Sequence, residues 1–460
     1  MKHIIYALFL AVLASSCSGV KGLKEPNVKI LPNYIGMTHA DSTTIADVAW
    51  WEYYSDSTLV VILRKTLDNN YDILKAAATV EEMRQLYGIE RLNLTPQING
   101  IVGATHETTD YHGESFSRDP EFSLKGTVSW EVNLWGSLSW ARKQSLANYR
   151  ASEEDLRGVR MTLIAEAASN YFNLLALDNE LAIVRRTLST RQEALEQARI
   201  RFEGGLTSET VYQQAQVEYA TTASLIPDLE RRITICCNKL TMLMGDLPRE
   251  VHRQDGFPLY LTLPDSLPIG LPSGLLKRRP DVRGAELRLQ AAMADVGLKY
   301  ADRFPNLRLA VTGGWENDEV AHWLQSPYSY LVGNIAGSIF DFGKKKRKYK
   351  AAIAAYDRAR YAYEQSVIVA MTEVENALIT LSKKHEATLL QNQLSDAAAK
   401  YVKLAALQYR AGSLNYLDVL DAQRRFFDAQ IGVNNALRDQ YLALINLYLV
   451  LGGGWQLSSE

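Results

Sequence analysis

The sequence has few of the residues on which catalytic and metal-binding proteins depend. Three cysteines occur in 460 residues, and two of them, Cys236 and Cys237, are adjacent in a predicted helix. Their side chains would point about 100° apart, so they are interpreted as packing residues and not as a disulfide. The seven histidines show no i, i+4 pairing, and no nucleophile elbow, Walker loop or cofactor motif occurs. The sequence therefore predicts no enzyme, no cofactor and no metal.

The sequence also lacks a large net charge and long apolar runs. The formal net charge is −2 with 22% charged residues, which gives no support to nucleic-acid binding. After residue 13 no run of 18 apolar residues occurs, so no transmembrane helix is predicted.

The amino terminus differs from the rest of the chain. A charged start, an apolar segment at 4–13 and small residues after it predict a signal peptide over residues 1–16. Cys17 then resembles the lipid-modified cysteine of a bacterial lipobox, although Ala14 stands where Leu is usual. The alternative is a plain signal peptide followed by an incidental cysteine. Acylation of Cys17 would anchor the chain to a membrane.

Glycine and proline are absent from one long stretch, residues 344–411. Nothing in it ends a helix, which would reach about 100 Å at ~1.5 Å per residue. Its apolar residues alternate between spacings of four and three, with Arg360 as the exception. This 3.5-residue period is typical of helices that wind around neighbours. The series comprises Tyr349, Ile353, Tyr356, Tyr363, Val367, Ala370, Val374, Ala377 and Leu381.

Most of the chain consists of two internal repeats of about 210 residues. Each predicts a helix, a β-hairpin, a long helix, a glycine turn and a return helix. In the first repeat, 71–244, these are 71–94, the hairpin 95–136, the long helix 137–203 and the return helix 206–244. In the second, 280–451, they are 280–303, 304–343, 344–411 and 413–451. The segments 17–70 and 245–279 are predicted to form an equatorial region, and 452–460 is a tail.

The hairpins predict membrane strands. Apolar and polar residues alternate along them, and each strand is long enough to cross a bilayer when tilted. Four strands cannot close a barrel in lipid, so several copies of the chain would have to contribute strands. The alternative is a soluble α/β protein whose hairpins pack on a core.

Four motifs in this order carry a family resemblance. They are Ser-Trp-Glu-Val-Asn-Leu-Trp-Gly at 129–136, Ala-Glu-Ala-Ala-Ser-Asn-Tyr-Phe at 165–172, Arg-Arg-Pro-Asp-Val-Arg at 278–283 and Tyr-Leu-Asp-Val-Leu-Asp-Ala-Gln at 416–423. The sequence resembles the TolC-like outer-membrane factors, in particular the lipoprotein branch that serves RND-type efflux pumps.

This resemblance implies a mixed α+β membrane protein. A long antiparallel α-helical barrel would continue a transmembrane β-barrel with four strands per chain, closed by trimerisation. It implies a homotrimer in the outer membrane of a Gram-negative bacterium, acting as the exit duct of a tripartite efflux pump for drugs or small molecules. The partners would be a periplasmic membrane-fusion adaptor and an inner-membrane RND-type pump. The alternatives are the outlet of a type I protein-secretion system and a periplasmic coiled-coil adaptor or scaffold.

The same resemblance implies a gate just past the Gly412 turn. Asp418 and Asp421, spaced i, i+3, lie on one helix face and match positions that form acidic rings at the periplasmic entrance of TolC-like proteins. Tyr409 also matches. Leu414 stands where TolC carries an arginine, which puts an arginine latch in doubt. The alternative for Asp418 is a helix-capping role with Asn415 as the N-cap.

The basic run at 344–348 follows the last strand directly. Lysines that snorkel at the membrane face and a solvated helix end explain it equally well.

Overall fold

The computed structural model describes residues 22–30, 32–34, 56–109, 112, 117–253, 270–322, 324–337 and 340–453. The predicted signal peptide and Cys17 lie outside these ranges. The chain divides into two compact units. Unit 1 comprises Met1–Val28, Ala78–Glu154 and Gly284–Ser366, and unit 2 comprises Lys29–Ala77, Asp155–Arg283 and Val367–Glu460.

The helices occur in pairs of equal length, one from each repeat. The paired helices have 22, 67 and 35 residues in chain order. They are α2 (Tyr71–Leu92) with α6 (Pro280–Ala301), α3 (Ser137–Glu203) with α7 (Lys344–Arg410), and α4 (Glu209–Leu243) with α8 (Tyr416–Val450). Within the described ranges, the other helices are α1 (Ser57–Asn69) and α5 (Pro272–Arg278), and a 3₁₀ turn covers Val320–His322. Helix α5 lies inside the linker that was predicted to be irregular; Pro272 occupies its first turn, where the missing N–H is no cost.

Both long helices end in the same backbone conformation. The N–H of Leu206 donates to the carbonyl of Arg201 at 2.8 Å, and the N–H of Ser413 donates to that of Gln408 at 2.9 Å. Gly205 and Gly412 have φ angles of 69° and 73°, which only glycine adopts at little cost. The next residues are extended, with ψ near 150° at both N-caps. The return helices therefore begin at 209 and 416, three residues later than predicted.

The strands form one antiparallel sheet in unit 1, in the order β1-β2-β3-β4. Strands β1 and β2 belong to the first repeat, and β3 and β4 to the second. The β2–β3 ladder, from Phe122 opposite Asn317 to Val132 opposite Leu307, joins the repeats. The strands are β1 (Gln97–Thr109), β2 (Ser117–Val132), β3 (Asn306–Asn317) and β4 (Pro327–Ala336).

The main core of unit 2 is built from α3, α4, α8 and α1. Tyr171 and Phe172 of α3 are buried, and the Phe172 ring stacks on Tyr441 of α8 at 4.5 Å. The Tyr171 hydroxyl donates to Asp56 at 2.7 Å, and the other carboxylate oxygen of Asp56 caps α1 through the N–H of Thr58 at 2.8 Å. One carboxylate therefore starts α1 and fixes it to the core.

Arg360, the exception in the apolar series, is buried in unit 1. Its guanidinium pairs with Glu364 at 2.8 Å and with Asp357 at 3.5 Å, and it lies over the Tyr361 ring at 4.2 Å. Glu364 also accepts the backbone N–H of Asn27 at 2.9 Å. The break in the apolar pattern thus marks where the amino-terminal segment attaches to α7.

Among the described residues, no helix combines the length and the apolar character that crossing a membrane requires.

Candidate functional site at the helix turns

The ends of the two long helices are connected by Arg201 of α3 and Tyr409 of α7, both in unit 2. A guanidinium N–H of Arg201 donates to the Tyr409 hydroxyl at 2.6 Å, and the guanidinium lies 5.7 Å from the centre of the ring. The Tyr409 ring lies 5.4 Å from that of Tyr416, the first residue of α8. The predicted gate residue Tyr409 therefore connects the turns of both repeats within one chain.

Asp418 lies in the first turn of α8 and is exposed. The side chain of Asn415 makes no capping hydrogen bond, so the capping alternative for this pair is not formed. Within the described part of the chain, the Asp418 carboxylate has no ion pair or hydrogen bond. Its charge is therefore available to a neighbour from outside the chain.

Asp421 lies one turn further along and is partly neutralised. Its carboxylate accepts a hydrogen bond from Arg425 at 2.8 Å, and both side chains are substantially exposed. The two predicted gate carboxylates thus differ, because one is unpaired and the other shares its charge with an arginine four residues along the helix.

A second ionic cluster, which we call the Glu218 cluster, lies deeper between α3, α4 and α8. Glu218 is 12% exposed; its carboxylate accepts a hydrogen bond from Arg424 at 2.6 Å and forms an ion pair with Arg191 at 3.1 Å. Arg191, 8% exposed, also donates to the carbonyl of Glu218 at 2.9 Å and to the Thr222 hydroxyl. Burial lowers the pKa of Arg191, and the charge of Glu218 opposes this shift. A buried guanidinium is retained only where a carboxylate compensates its loss of hydration.

Apolar packing supports the turn of the second repeat. Ala405, Val419 and Ala422 are buried there, with Leu414 and Tyr409 packed against them. Leu414 is therefore a packing residue. The Tyr416 hydroxyl is buried without a hydrogen-bond partner among the described residues, and burial raises the pKa of this group.

The site is built from side chains that join helices. It combines carboxylates, guanidiniums and tyrosines that hold helices together, and no three metal-ligating side chains come together in the described ranges. Sequence reasoning missed Arg201 and the Glu218 cluster. Arg201 lies four residues before Gly205 and Tyr409 three before Gly412, so both are in the last turn of a long helix, and this closeness to the glycine turns was the available indication.

These repeats and this sheet define a class of transport protein. The family model for outer membrane efflux proteins matches residues 62–246 and 271–453, one segment for each repeat. The chain belongs to this family, and the family and location predicted from the sequence are confirmed: it is an outer-membrane protein.

Characterised relatives match the chain along its length. The solvent efflux pump outer membrane protein SrpC of Pseudomonas putida is 29% identical, with both chains covered completely. The pyoverdine export outer membrane protein OpmQ of Pseudomonas aeruginosa is 27% identical over 92% of this chain and 90% of its own.

Solved structures share the fold. The outer-membrane channel OprN has a TM-score of 0.88 at 26% identity, covering 95% of this chain and all of its own. The open state of the MtrE outer membrane channel of Neisseria gonorrhoeae has a TM-score of 0.83 at 26% identity, covering 94% and 97%. The predicted fold class is confirmed, as is the prediction of an efflux exit duct.

Proposed function

We propose that the chain works as a homotrimer and forms the passive exit duct of a tripartite efflux pump, with a periplasmic membrane-fusion adaptor and an inner-membrane RND-type pump as its partners. The observation that carries this proposal is the open sheet. Strands β1 and β4 are its edges, and they carry exposed apolar side chains, with Ile98 79% and Ile335 75% exposed.

An open edge is not stable in lipid, because unpaired backbone groups there cost several kcal/mol each. Pairing β4 of one copy with β1 of the next removes both edges. Three copies would supply twelve strands, which lies within the range of known barrels. The apolar residues on the outer strands then face lipid and need no further partner.

The turn site is the proposed entrance gate. Three copies around an axis would bring together three unpaired Asp418 carboxylates and three Asp421–Arg425 pairs. The carboxylates favour cations. The Arg201–Tyr409 hydrogen bond holds the turns of each chain together, so opening requires this contact to loosen or move with them.

Single-channel conductance in planar bilayers tests the gate. We expect Asp418→Ala to raise conductance and to lower cation preference more than Asp421→Ala does, because Asp421 is already paired. Arg201→Gln should also raise conductance, since it releases Tyr409. Asp428→Ala, an exposed acid further along α8, is the matched control and should behave like the unaltered protein. Equal behaviour of all four variants would refute the gate assignment.

The partners are tested by cross-linking in cells. Recovery of an RND-type pump with its adaptor supports the proposal, and recovery of a type I secretion transporter contradicts it. The cargo is proposed to be small molecules, since the relatives are named for solvents and pyoverdine.

Lipid attachment at Cys17 rests on the sequence. Labelled palmitate should enter the chain and be lost in Cys17→Ser, and label retained in that variant would refute the assignment.

A further inference from the structure

A cavity of about 260 Å³ lies in unit 1 beside the end of the sheet. The last turn of α6, the start of β3, the end of β4 and the first turns of α7 surround it. Its lining comprises Lys299, Asp302, Phe304, Asn306, Ala336, Lys345 and Lys348.

The lining has an excess of positive charge. It contains three lysines and one carboxylate. The Lys299 ammonium lies 3.7 Å from Asp295 and 3.9 Å from Asp302, too far for a direct hydrogen bond to either. Lys345 and Lys348 form no ion pair with any residue that the structure describes. Lys299 therefore lies between two carboxylates at ion-pair distance, whereas Lys345 and Lys348 have no ion pair among the described residues.

A further carboxylate at the start of α7, Asp341, accepts hydrogen bonds from the backbone. Its two oxygens accept the N–H groups of Gly343 and Lys345, both at 2.9 Å, and so cap the start of α7. These hydrogen bonds lower the pKa of Asp341. Because both oxygens already accept backbone N–H groups at the helix start, Asp341 offsets the charge of Lys345 only through space.

Two exposed aromatic side chains precede the cavity's α7 lysines in the sequence. Phe340 and Phe342 are 76% and 90% exposed, and their rings contact each other edge to face at 4.8 Å. Phe342 has a φ of 52°, a conformation that costs a bulky residue energy. Both the backbone conformation of Phe342 and the exposure of its ring to water are unfavourable, so an apolar surrounding for the ring would offset their cost. Aromatic rings are enriched at the interface between lipid and water.

We propose that this cavity binds the phosphate group of an anionic glycerophospholipid through Lys299, Lys345 and Lys348, with the acyl chains passing along Phe340 and Phe342. The inference rests on the proposed function, which places the four strands in the membrane and the cavity where they end. Headgroup phosphates lie at that level of a bilayer. A free phosphate ion would satisfy the same lysines but would leave the aromatic pair unexplained.

Lipid retention measured by native mass spectrometry tests the proposal. The full-length protein is purified in detergent and exposed to phosphatidylglycerol, to diacylglycerol with the same acyl chains but no phosphate, or to inorganic phosphate. We expect phosphatidylglycerol to be retained and diacylglycerol not, with inorganic phosphate displacing it only weakly. Strong displacement by inorganic phosphate would show an ion site and overturn the assignment to lipid.

The variants separate the cavity from general surface charge. K299Q/K345Q/K348Q should lower retention of phosphatidylglycerol at least tenfold. The control K344Q/K346Q/K350Q also removes three positive charges, but from exposed residues of α7 that do not line the cavity. This variant should retain the lipid. Equal loss in both triple variants would overturn the proposal.

Channel conductance distinguishes the failure of this inference from failure of the proposed function. A protein that conducts normally but retains no phosphatidylglycerol refutes the lipid site alone. A protein that forms no channels in any membrane refutes the proposed function, and the lipid site with it.

Discussion

The two junctions between strand and long helix have the same backbone and different surfaces. Gly136 in the first repeat and Gly343 in the second have φ angles of 78° and 80°. In the first, Trp135 stacks on Phe304 at 4.6 Å and its indole N–H donates to a backbone carbonyl at 2.8 Å. In the second, Phe340 and Phe342 are exposed. The backbone of the duplicated junction is therefore preserved by its glycine, while the aromatic side chains around it differ in their exposure.

The two return helices likewise have the same length but differ in the surroundings of equivalent residues. Residue 218 of α4 and residue 425 of α8 occupy equivalent positions, since both helices have 35 residues and start 207 positions apart. In the first repeat this position is Glu218, enclosed between two arginines. In the second it is Arg425, which pairs with Asp421 in the open.

The largest effect is expected from the Glu218 cluster. Glu218→Gln should lower the free energy of unfolding by about 3 kcal/mol, because it leaves the buried Arg191 without a carboxylate. Arg425→Gln, at the equivalent position, should cost less than about 1 kcal/mol, since exposed pairs contribute little. Thermal unfolding of the detergent-solubilised protein measures both. Similar losses in the two variants would contradict the burial argument.

An intermediate effect is expected at the paired glycines of α2 and α6. A Cβ on Gly297 would lie 2.5 Å from the Trp140 ring, whereas one on Gly88 would meet nothing within 4 Å. Gly297→Ala should therefore destabilise the protein by roughly 1–3 kcal/mol through overpacking. Gly88→Ala should stabilise it by about 0.5–1 kcal/mol, because alanine favours a helix. A melting temperature that rises in both variants would show that Trp140 moves aside freely.

The smallest effect concerns Cys236, whose equivalent in the second repeat is Ala443. Burial raises the pKa of the Cys236 thiol from 9.0 to about 11. Above pH 9 the thiol of Cys236 loses its proton in the unfolded chain but keeps it in the folded protein. The stability that the thiol contributes is therefore complete below pH 9 and is lost as the pH rises to about 11. At pH 10 the loss is about 1 kcal/mol.

Cys236→Ala should remove this loss. The free energy of unfolding of the variant, measured at pH 8 and at pH 10, should fall by about 1 kcal/mol less than that of the unaltered protein. An unchanged difference between the two pH values would show that other groups dominate the alkaline response. The variant also loses the hydrogen bond from the thiol to the carbonyl of Asn170, 3.2 Å long, and that loss acts equally at both pH values.

The repeated elements could be predicted because their causes are local in the sequence. The stretches without glycine or proline allow long helices, the glycines end them, and the alternating residues indicate strands. Helix α5 was missed, since a proline-rich linker of this kind usually has no regular structure.

The contacts at the turns could not be predicted. The Arg201–Tyr409 hydrogen bond joins residues 208 positions apart, and no local pattern identifies a partner at that distance. The pairing of Asp421 with Arg425 is the exception, because its i, i+4 spacing is visible in the sequence. The gate roles of Asp418, Asp421 and Tyr409 remain predictions.

The β2–β3 ladder has a consequence for assembly. Strands on separate chains must meet at the concentration of those chains, whereas strands of one chain meet at an effective concentration in the millimolar range, set by the connecting segment. The eleven residue pairs from Phe122–Asn317 to Val132–Leu307 are all within one chain. Their pairing is therefore independent of how much protein the cell makes, and dilution can affect only the ladders that the edge strands β1 and β4 would form with other copies.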